Sequence, residues 1–348
     1  MPKTMKAAVL HGVEDLRIDD VPAPSIPSPH DVLVRIQQVG VCGSDIHYFR
    51  HGRIAHFVVE KPMILGHECA GEVVEVGEAV TTLAAGDRVA LEPGVPCRRC
   101  EFCHEGRYNL CPDVVFFATP PVDGAFCEYV ASPADFAFKL PENVSMEEGA
   151  MMEPLAVGMW STHRASVGAG DVVAVLGAGP IGLVTLQAAR ARGATTLIIT
   201  DVEQSRLEFA EKLGATHTLN AKRGDVVESI KEITDGRGAD AVIEAVGTSQ
   251  TTRDALRAAK TGGRVIIIGV APEVDVPLSM GELVLRELDV GGIFRYANMY
   301  PRAIAAVAAG LIDVKSMITH RYPLAETREA LVFGDEHKSE CLKVIVSI

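Results

Sequence analysis

The sequence predicts an α/β protein in two parts, a mostly antiparallel β domain followed by a doubly wound parallel sheet. In the first half, β-branched runs are bounded by Gly, Pro and Asp. From Asp171 onward, apolar strands alternate with helical stretches. The chain has 348 residues, more than one ordinary hydrophobic core accommodates. We therefore expect two domains, with the first boundary at residue 155.

The elements of the first half are predicted to be short strands and turns. Strands are expected at residues 7–10, 31–36 and 71–77. The segment 21–29 contains four prolines and is expected to be an extended surface linker. These lengths suit a small barrel-like domain.

The second half is predicted to consist of βαβ units. The expected strands lie at 172–176, 196–200, 241–245 and 264–269, and the expected helices at 181–192 and 204–213. Such alternation indicates a parallel sheet with helices on both faces. A last strand at 342–346 is expected to return to the first domain. The predicted domains are thus 1–155, then 156–290, with 291–348 returning to the first.

Composition narrows the partners and the compartment. The formal net charge is -13, which disfavours nucleic acid and anionic membrane surfaces. The N-terminus lacks the apolar stretch of a signal peptide, and no segment reaches the roughly 18 apolar residues of a membrane span. We expect a cytoplasmic protein. Its eight cysteines then indicate metal binding rather than disulfides.

Four of the cysteines form a compact cluster, Cys97, Cys100, Cys103 and Cys111. Zinc bound by four thiolates is closed and structural, so we expect a zinc lobe at about residues 93–113. Scattered buried thiols or a redox pair are the alternatives. A zinc ribbon that binds nucleic acid uses similar spacing, but this segment has few basic residues.

A second, dispersed set offers mixed ligands: Cys42, His67 and a carboxylate from Glu68 or Glu153. Zinc held by three mixed ligands keeps a position open, and it lowers the pKa of a bound water to about 7 and acts similarly on an alcohol. The sequence does not decide between the two glutamates. A lone histidine is more often structural, so the whole set carries the prediction.

Two polar residues follow Cys42 closely, Ser44 and His47. A chain of hydroxyl and imidazole groups can carry a proton outward, so both are candidates to transfer the proton of an alcohol. A structural role for His47 remains an alternative.

A glycine-rich run indicates a dinucleotide site. Gly177, Gly179 and Gly182 match GxGxxG between a predicted strand and a predicted helix, the context in which the helix N-terminus meets a pyrophosphate. Asp201 ends the next strand, where a carboxylate accepts hydrogen bonds from ribose hydroxyls and favours NAD over NADP. The alternatives are that Asp201 caps the following helix, or that Arg206 supports a 2′-phosphate.

Several stretches resemble a known family. Residues 42–47 and 66–77 resemble the zinc signature of medium-chain dehydrogenases. Residues 116–124, 148–155 and 294–296 are similar to sorbitol dehydrogenase and its xylitol dehydrogenase relatives. The four-cysteine lobe and the glycine-rich run occur in the family's order, so the resemblance covers essentially the whole chain.

The resemblance implies a GroES-like catalytic domain, a Rossmann NAD-binding domain and a homotetramer that oxidises a polyol to a ketose. The two separate ligand sets predict two zinc ions per chain. The resemblance further implies catalytic zinc at Cys42, His67 and Glu68, with Glu153 on the metal-bound water or on the metal. Implied polyol contacts are Tyr48, Glu153, Arg295 and Tyr296. Implied cofactor contacts are Ile181, Asp201 and Arg206, and we also expect Gly269, Val270 and Phe294 at the cofactor.

Two other functions remain open from the sequence. One is a threonine or simple alcohol dehydrogenase with the same chemistry, and the other is a non-catalytic dinucleotide-binding structural protein. Arg295 and Tyr296 are alternatively interface or cofactor-packing residues. The sequence does not rank sorbitol, xylitol, L-iditol and ribitol, because one small group in a pocket changes discrimination by only about 1–3 kcal/mol.

Overall fold

Two separately packed units make up the protein, seen in a computed structural model that describes residues 2–271 and 275–348. The first unit comprises the chain up to Glu153, with residues 300–308 and 314–348. The second comprises residues 154–299 and 309–313. The chain thus leaves the first unit and returns to it.

The first unit is mostly β structure. Its strands in chain order are β1 (Thr4–Gly12), β2 (Asp15–Pro22), β3 (Asp31–Gly40), β4 (Arg53–Ile54), β5 (Phe57–Val58), β6 (Met63–Ile64), β7 (Glu68–Val76), β8 (Arg88–Leu91), β9 (Gly94–Val95), β10 (Val115–Phe116), β11 (Tyr129–Pro133) and β12 (Ala137–Lys139), followed near the C-terminus by β19 (Ile318–Pro323) and β20 (Lys343–Ser347).

These strands pair mainly in antiparallel fashion, which confirms the predicted β domain. The main sheet has the order β12-β8-β7-β3-β20-β19, with β11 also on β3, and a second sheet has the order β2-β1-β6. Strand β20 pairs antiparallel with β3, so the terminal strand returns to this unit as predicted. Leu10, Phe49 and Phe126 are among the large side chains that fill the core.

The helices of the first unit are short. They are α1 (Gly43–His51), α2 (Glu101–His104), α3 (Met146–Ala150), α10 (Tyr300–Ala308) and α11 (Thr327–Glu336). The sequence did not predict α1, because its polar and apolar residues show no clear period of 3.6. At the start of α1, the backbone N–H of Cys42 donates to the Asp45 carboxylate at 3.0 Å.

The second unit is a doubly wound parallel sheet, as predicted. Its strands are β13 (Val172–Leu176), β14 (Thr196–Asp201), β15 (His217–Asn220), β16 (Ala239–Glu244), β17 (Ala259–Ile267) and β18 (Asp289–Gly292), in the order β15-β14-β13-β16-β17-β18. All of these pairs are parallel. The order reverses between β13 and β16, and ligands bind outside the carboxyl ends of strands at such a switch point.

Helices connect these strands. They are α4 (Met152–Arg164), which leads into the unit, and then α5 (Pro180–Ala191), α6 (Gln204–Lys212), α7 (Val226–Ile233), α8 (Ser249–Ala258) and α9 (Met280–Leu285). Strand β17 begins earlier than predicted, because residues 261–263 are Thr-Gly-Gly and carry no apolar signal. Across residues 2–271 and 275–348, none of the helices combines the length and apolar character needed to span a bilayer.

Candidate active site

The four-cysteine cluster comes together as predicted from its spacing. The Sγ atoms of Cys97, Cys100, Cys103 and Cys111 all lie within 4.8 Å of one another. The backbone N–H of Cys97 donates to Cys111 Sγ at 3.3 Å, and the sulfurs of Cys100 and Cys103 are 3.4 Å apart. Helix α2 and a 3-10 turn at Tyr108–Leu110 return the chain to the cluster.

The acidities of these thiols differ. A backbone hydrogen bond from Arg99 lowers the pKa of Cys97 to about 7. Burial raises the pKa of Cys103 to about 12. Four thiols at this spacing cannot all ionise unless a cation balances them, and a tetrahedral zinc ion does so. The donor set therefore fits a structural zinc site.

The dispersed ligands also meet. One ligand atom each from Cys42, His67 and Glu68 lies within 4.8 Å of the others. Cys42 precedes α1, whereas His67 immediately precedes β7 and Glu68 is its first residue. His67 and Glu68 are buried and Cys42 is half-buried. Three mixed ligands fit a zinc ion that keeps one position for water or substrate.

Asp45 supports this cluster, although the sequence assigned it no role. Its Oδ2 accepts from the backbone of Cys42 at 3.0 Å and its Oδ1 from the backbone of Gly66 at 2.9 Å. Oδ1 also lies 3.6 Å from His67 Nδ1. One carboxylate therefore fixes the main chain beside two ligands and orients the imidazole, as carboxylates that hydrogen-bond to the histidine ligands of zinc do. In the sequence, the sign of this role was an acidic residue three positions after Cys42, in the first turn of a helix that the sequence did not predict.

The electrostatics of His67 follow from these neighbours. Burial opposes protonation, but the charges of Asp45 and Cys42 raise the pKa of the metal-free imidazole well above its usual range. Metal ligands must be deprotonated, so His67 has to give up a proton on binding. Metal loading is therefore coupled to proton release at this residue.

Lys343 is a second residue that the sequence analysis missed. Its Nζ forms an ion pair with Glu68 Oε2 and donates to the carbonyl of Val41 at 2.9 Å. Both side chains are buried, at 3% exposure for Lys343 and 1% for Glu68. Burial opposes the charge of Lys343, but Glu68 raises its pKa above the usual range. The sequence feature that could have indicated this role is a lysine at the start of an otherwise apolar terminal strand.

The structure does not place Glu153 within the same cluster. Glu153 lies buried in the first turn of α4, and the ligand group within 4.8 Å contains Glu68 instead. Its charge nevertheless contributes to the raised pKa of Lys343, behind burial and Glu68. The geometry thus favours Glu68 over Glu153 as the carboxylate ligand.

Helix α1 carries the two residues expected to transfer a proton and one expected to contact substrate. Ser44 is half-buried, His47 is exposed and Tyr48 is buried. His47 Nδ1 lies 2.8 Å from the carbonyl of Arg53, which can only accept, so Nδ1 donates. In the neutral ring, this leaves Nε2 as the acceptor.

The glycine-rich loop has the backbone shape that its sequence indicates. Gly177 has φ 104, which favours glycine. A side chain at Gly182 would collide with the carbonyl of Gly177. Gly179 caps α5, and Pro180 and Ile181 begin it. The first turn of a 12-residue helix thus opens directly from the loop, an arrangement suited to a pyrophosphate.

Asp201 is tied to this loop. Its Oδ2 accepts from the backbone of Ala178 at 2.7 Å and its Oδ1 from the backbone of Glu203 at 2.9 Å. Glu203, rather than Asp201, occupies the N-cap of α6. The guanidinium of Arg206 lies beside the loop, since a Cβ at Gly179 would be 3.8 Å from its Nη1.

Further expected cofactor and substrate residues follow the later strands of this unit. Gly269 and Val270 follow β17, and the Val270 side chain is 86% exposed. Phe294, Arg295 and Tyr296 follow β18, with the Arg295 guanidinium 4.6 Å from the Phe294 ring centre. Arg295 has φ 55, an uncommon conformation that is found more often at functional sites. Tyr296 is buried.

Fold and clusters together define a class of protein, the zinc-dependent dehydrogenases that bind a nicotinamide dinucleotide. Residues 28–142 match the alcohol dehydrogenase GroES-like domain, and residues 180–309 match the zinc-binding dehydrogenase family. The expected GroES-like and Rossmann folds are thereby confirmed.

Full-length relatives show which family of zinc-binding dehydrogenases the chain resembles. A sorbitol dehydrogenase of Bacillus subtilis (strain 168) is 47% identical, and the match covers 99% of this chain and 98% of the relative. A sorbitol dehydrogenase of Arabidopsis thaliana is 46% identical, over 98% of this chain and 95% of the relative. A solved zinc-binding dehydrogenase of Sinorhizobium meliloti 1021, bound to NADP, is 36% identical with a TM-score of 0.91 over 100% of both chains. The chain belongs to the sorbitol dehydrogenase family of zinc-binding dehydrogenases.

Proposed function

We propose that this enzyme oxidises a secondary hydroxyl of a polyol, such as sorbitol or xylitol, to the ketose, with NAD as the hydride acceptor. The observation that carries the proposal is the mixed cluster of Cys42, His67 and Glu68, present alongside a separate four-thiol cluster. The two relatives described above, from Bacillus subtilis and Arabidopsis thaliana, are sorbitol dehydrogenases, which supports the polyol as substrate class.

When bound, zinc would polarise the hydroxyl oxygen as a Lewis acid, and the nicotinamide ring would accept the hydride. The chain supplies position and proton transfer. Asp45 and Lys343 hold the ligand side chains in place. We assign Ser44 and His47 to carrying the alcohol proton toward solvent, which suits the free Nε2 acceptor of an exposed His47.

Glu153 is assigned to the reacting hydroxyl or water rather than to the metal. Its carboxylate is buried in the first turn of α4, and its charge contributes to the raised pKa of Lys343, the lysine paired with Glu68. A carboxylate has two oxygens with several acceptor positions, so it can accept a hydrogen bond from a polyol hydroxyl or from a water. Tyr48, Arg295 and Tyr296 are proposed to hydrogen-bond the other hydroxyl groups.

Two alternatives are less well supported. A threonine or simple alcohol dehydrogenase would share the zinc chemistry, but the two curated relatives described above are sorbitol dehydrogenases. A non-catalytic dinucleotide-binding protein has no need for the mixed cluster, which here is assembled. Initial rates with sorbitol, xylitol, L-iditol and ribitol, compared with threonine and ethanol, test the substrate class. Faster turnover of threonine or ethanol than of every polyol would contradict it.

NAD is proposed in preference to NADP because of Asp201, and Asp201→Asn tests its charge. The amide removes the charge that repels a 2′-phosphate, and it keeps one oxygen acceptor, so one of the backbone N–H groups of Ala178 and Glu203 loses its partner. We expect the preference for NAD over NADP, measured as a ratio of kcat/KM values, to fall about tenfold, equivalent to about 1.4 kcal/mol.

Arg206→Ala is the companion variant, because its guanidinium lies beside Gly179. If the wild-type enzyme already uses NADP as efficiently as NAD, the assignment of Asp201 is wrong. Loss of NADP use in Arg206→Ala would then make Arg206 the residue that sets cofactor choice.

Arg295→Ala is expected to raise the KM for polyols about 10- to 100-fold and to leave the Kd for NADH unchanged. A guanidinium presents a rigid fork of donors, and a hydrogen bond to a charged group contributes about 1.5–3 kcal/mol. Arg302→Ala, on exposed α10 surface, is the control with wild-type constants. A collapse of NADH binding with an unchanged polyol KM would make Arg295 a cofactor residue.

A homotetramer in the cytoplasm completes the proposal. Strand β18 is an edge strand of its sheet, and neighbouring α9 exposes Met280, Val284 and Leu285. Exposed apolar side chains beside an unpaired strand edge are typical of protein contacts. All eight cysteines are free, which suits a reducing compartment. Light scattering is expected to give about four times the mass of one chain. A measured mass equal to that of a single chain would contradict the proposed homotetramer.

A further inference from the structure

Glu244 places a carboxylate at the end of β16, where it is fully buried. A buried charge is costly unless it is paired or hydrogen-bonded. Among the described residues, no ion pair involves Glu244. The mechanism above does not use this residue, so its burial needs another explanation.

One oxygen of Glu244 organises the turn that follows the strand. Oε1 accepts from the backbone of Val246 at 2.9 Å, from the backbone of Gly247 at 2.8 Å and from Thr251 Oγ1 at 2.7 Å. Oε2 is buried without a hydrogen-bond partner among the described atoms. Because neither oxygen is accessible, Glu244 cannot touch a substrate, and its action is on the turn.

The turn held by Glu244 lies between two other loops of the same unit. A Cβ at Gly177, in the glycine-rich loop, would be 2.8 Å from Val246 Cγ2. A Cβ at Gly247 would be 2.9 Å from the backbone nitrogen of Val270, in the loop after β17. The loops after β13, β16 and β17 therefore pack in contact, with the turn at 245–247 in the middle.

The main chain of Glu244 joins the same arrangement. Its carbonyl accepts from the backbone of Ile268 at 2.8 Å, and the next residue, Ala245, donates to the carbonyl of Leu176 at 2.9 Å. One residue is thus bonded to the turn through its side chain, and through its backbone and its neighbour to the residue that follows β17 and to the last residue of β13, where the two flanking loops begin. Displacing the turn would move both loops.

We infer that Glu244 and Thr251 form a positioning pair that sets dinucleotide affinity by holding the 245–247 turn between the glycine-rich loop and the 269–270 loop. The inference rests on the proposed cofactor site, which both flanking loops border. Loops fixed before binding reduce the ordering cost that the ligand must otherwise meet. Loosening the turn therefore weakens NADH binding without removing any group that contacts it.

Thr251→Val is the principal test, since it removes one donor to Glu244 at nearly constant shape, together with the contacts between the Thr251 hydroxyl and the cap residue Thr248. We expect the Kd for NADH, measured by fluorescence in the zinc-loaded protein, to rise about tenfold. Thr251→Ser, which restores the hydroxyl, is expected to restore wild-type affinity. The polyol KM at saturating NAD should stay unchanged in both variants.

Two neighbouring threonines provide matched controls. Thr252 donates to the carbonyl of Thr248 and not to Glu244, so Thr252→Val should bind NADH as the wild type does. Thr248 caps α8 and its hydroxyl lies 2.8 Å from Thr251 Oγ1, so Thr248→Ala removes the cap contacts but leaves the Thr251 donor to Glu244 in place. Both are expected to lower the melting temperature while leaving the Kd for NADH within about twofold of wild type.

Glu244→Gln keeps an acceptor for the turn, and a Kd for NADH closer to wild type than that of Thr251→Val supports the inference. A lowered melting temperature with wild-type NADH affinity in Thr251→Val would overturn it and leave the pair purely structural. An equal loss of affinity in Thr248→Ala would also overturn it, because the cap and not the carboxylate would then be responsible. A wild-type chain that binds no NADH would overturn the proposed cofactor site, and this inference with it.

Discussion

Replacing Cys42 by alanine is expected to lower kcat/KM for polyols at least about 10³-fold while NADH still binds. The thiolate is one of three ligands in the mixed cluster, and a Lewis acid at the reacting oxygen contributes several kcal/mol to transition-state stabilisation. The glycine-rich loop belongs to the other unit and does not use Cys42. The kcat/KM for polyols, the Kd for NADH from its fluorescence and the zinc content per chain are measured on one preparation.

Cys100→Ser is the matched variant in the four-thiol cluster. Each variant is expected to hold about one zinc ion per chain where the wild type holds two. In Cys100→Ser, however, the expected defect is a loosened lobe, seen as faster proteolysis within residues 93–113, because structural zinc binding contributes folding free energy. Cys341→Ser, outside both clusters, should keep two ions. Two ions in every variant would refute both ligand assignments.

Lys343→Met is expected to destabilise the zinc-free protein by about 3–5 kcal/mol, because it leaves the Glu68 carboxylate buried without its cation. In the zinc-loaded protein the loss should be smaller, since the metal also compensates Glu68. Urea unfolding with zinc and with a chelator measures both values. Lys343→Arg keeps the charge and should be the milder change.

Lys338 provides the control for Lys343. It makes a 3.8 Å contact with Asp335 at 66% exposure, and an exposed pair of this kind contributes about 0–1 kcal/mol. Lys338→Met should therefore unfold almost as the wild type does, with and without zinc. Equal destabilisation of Lys343→Met in both metal states would show that Lys343 supports packing and not the ligand Glu68.

The features that depend on residues close in sequence were predictable. The four cysteines lie within one short segment, so their spacing alone indicated a shared metal. The glycine-rich run lies between an apolar strand and a helix, and that context identified the dinucleotide fold. Cys42 and His67 lie farther apart, so their pairing rested on the ligand chemistry of Cys, His and Glu and on the family resemblance, and not on a local spacing.

The supporting residues were not predictable, because their partners are distant in sequence or lie on elements without a clear period. Lys343 follows Glu68 by 275 positions, and only the pairing of β20 with β3 brings that strand back. Asp45 acts from α1, whose pattern did not predict a helix. Glu244 appeared as one acidic residue at the end of a buried strand, and the donors that it accepts from are visible only in the folded turn.

In the proposed function, the mixed cluster makes the chain a zinc-dependent polyol dehydrogenase, so removing the zinc and restoring it should switch polyol oxidation off and on. The initial rate of NAD reduction with sorbitol or xylitol is followed before chelation, after chelation and after zinc is added back. We predict that the rate falls to background when the catalytic zinc is removed and recovers with zinc, while NADH still binds throughout. A rate that persists in the zinc-free protein, or no rate with any polyol in the zinc-loaded protein, would contradict the account.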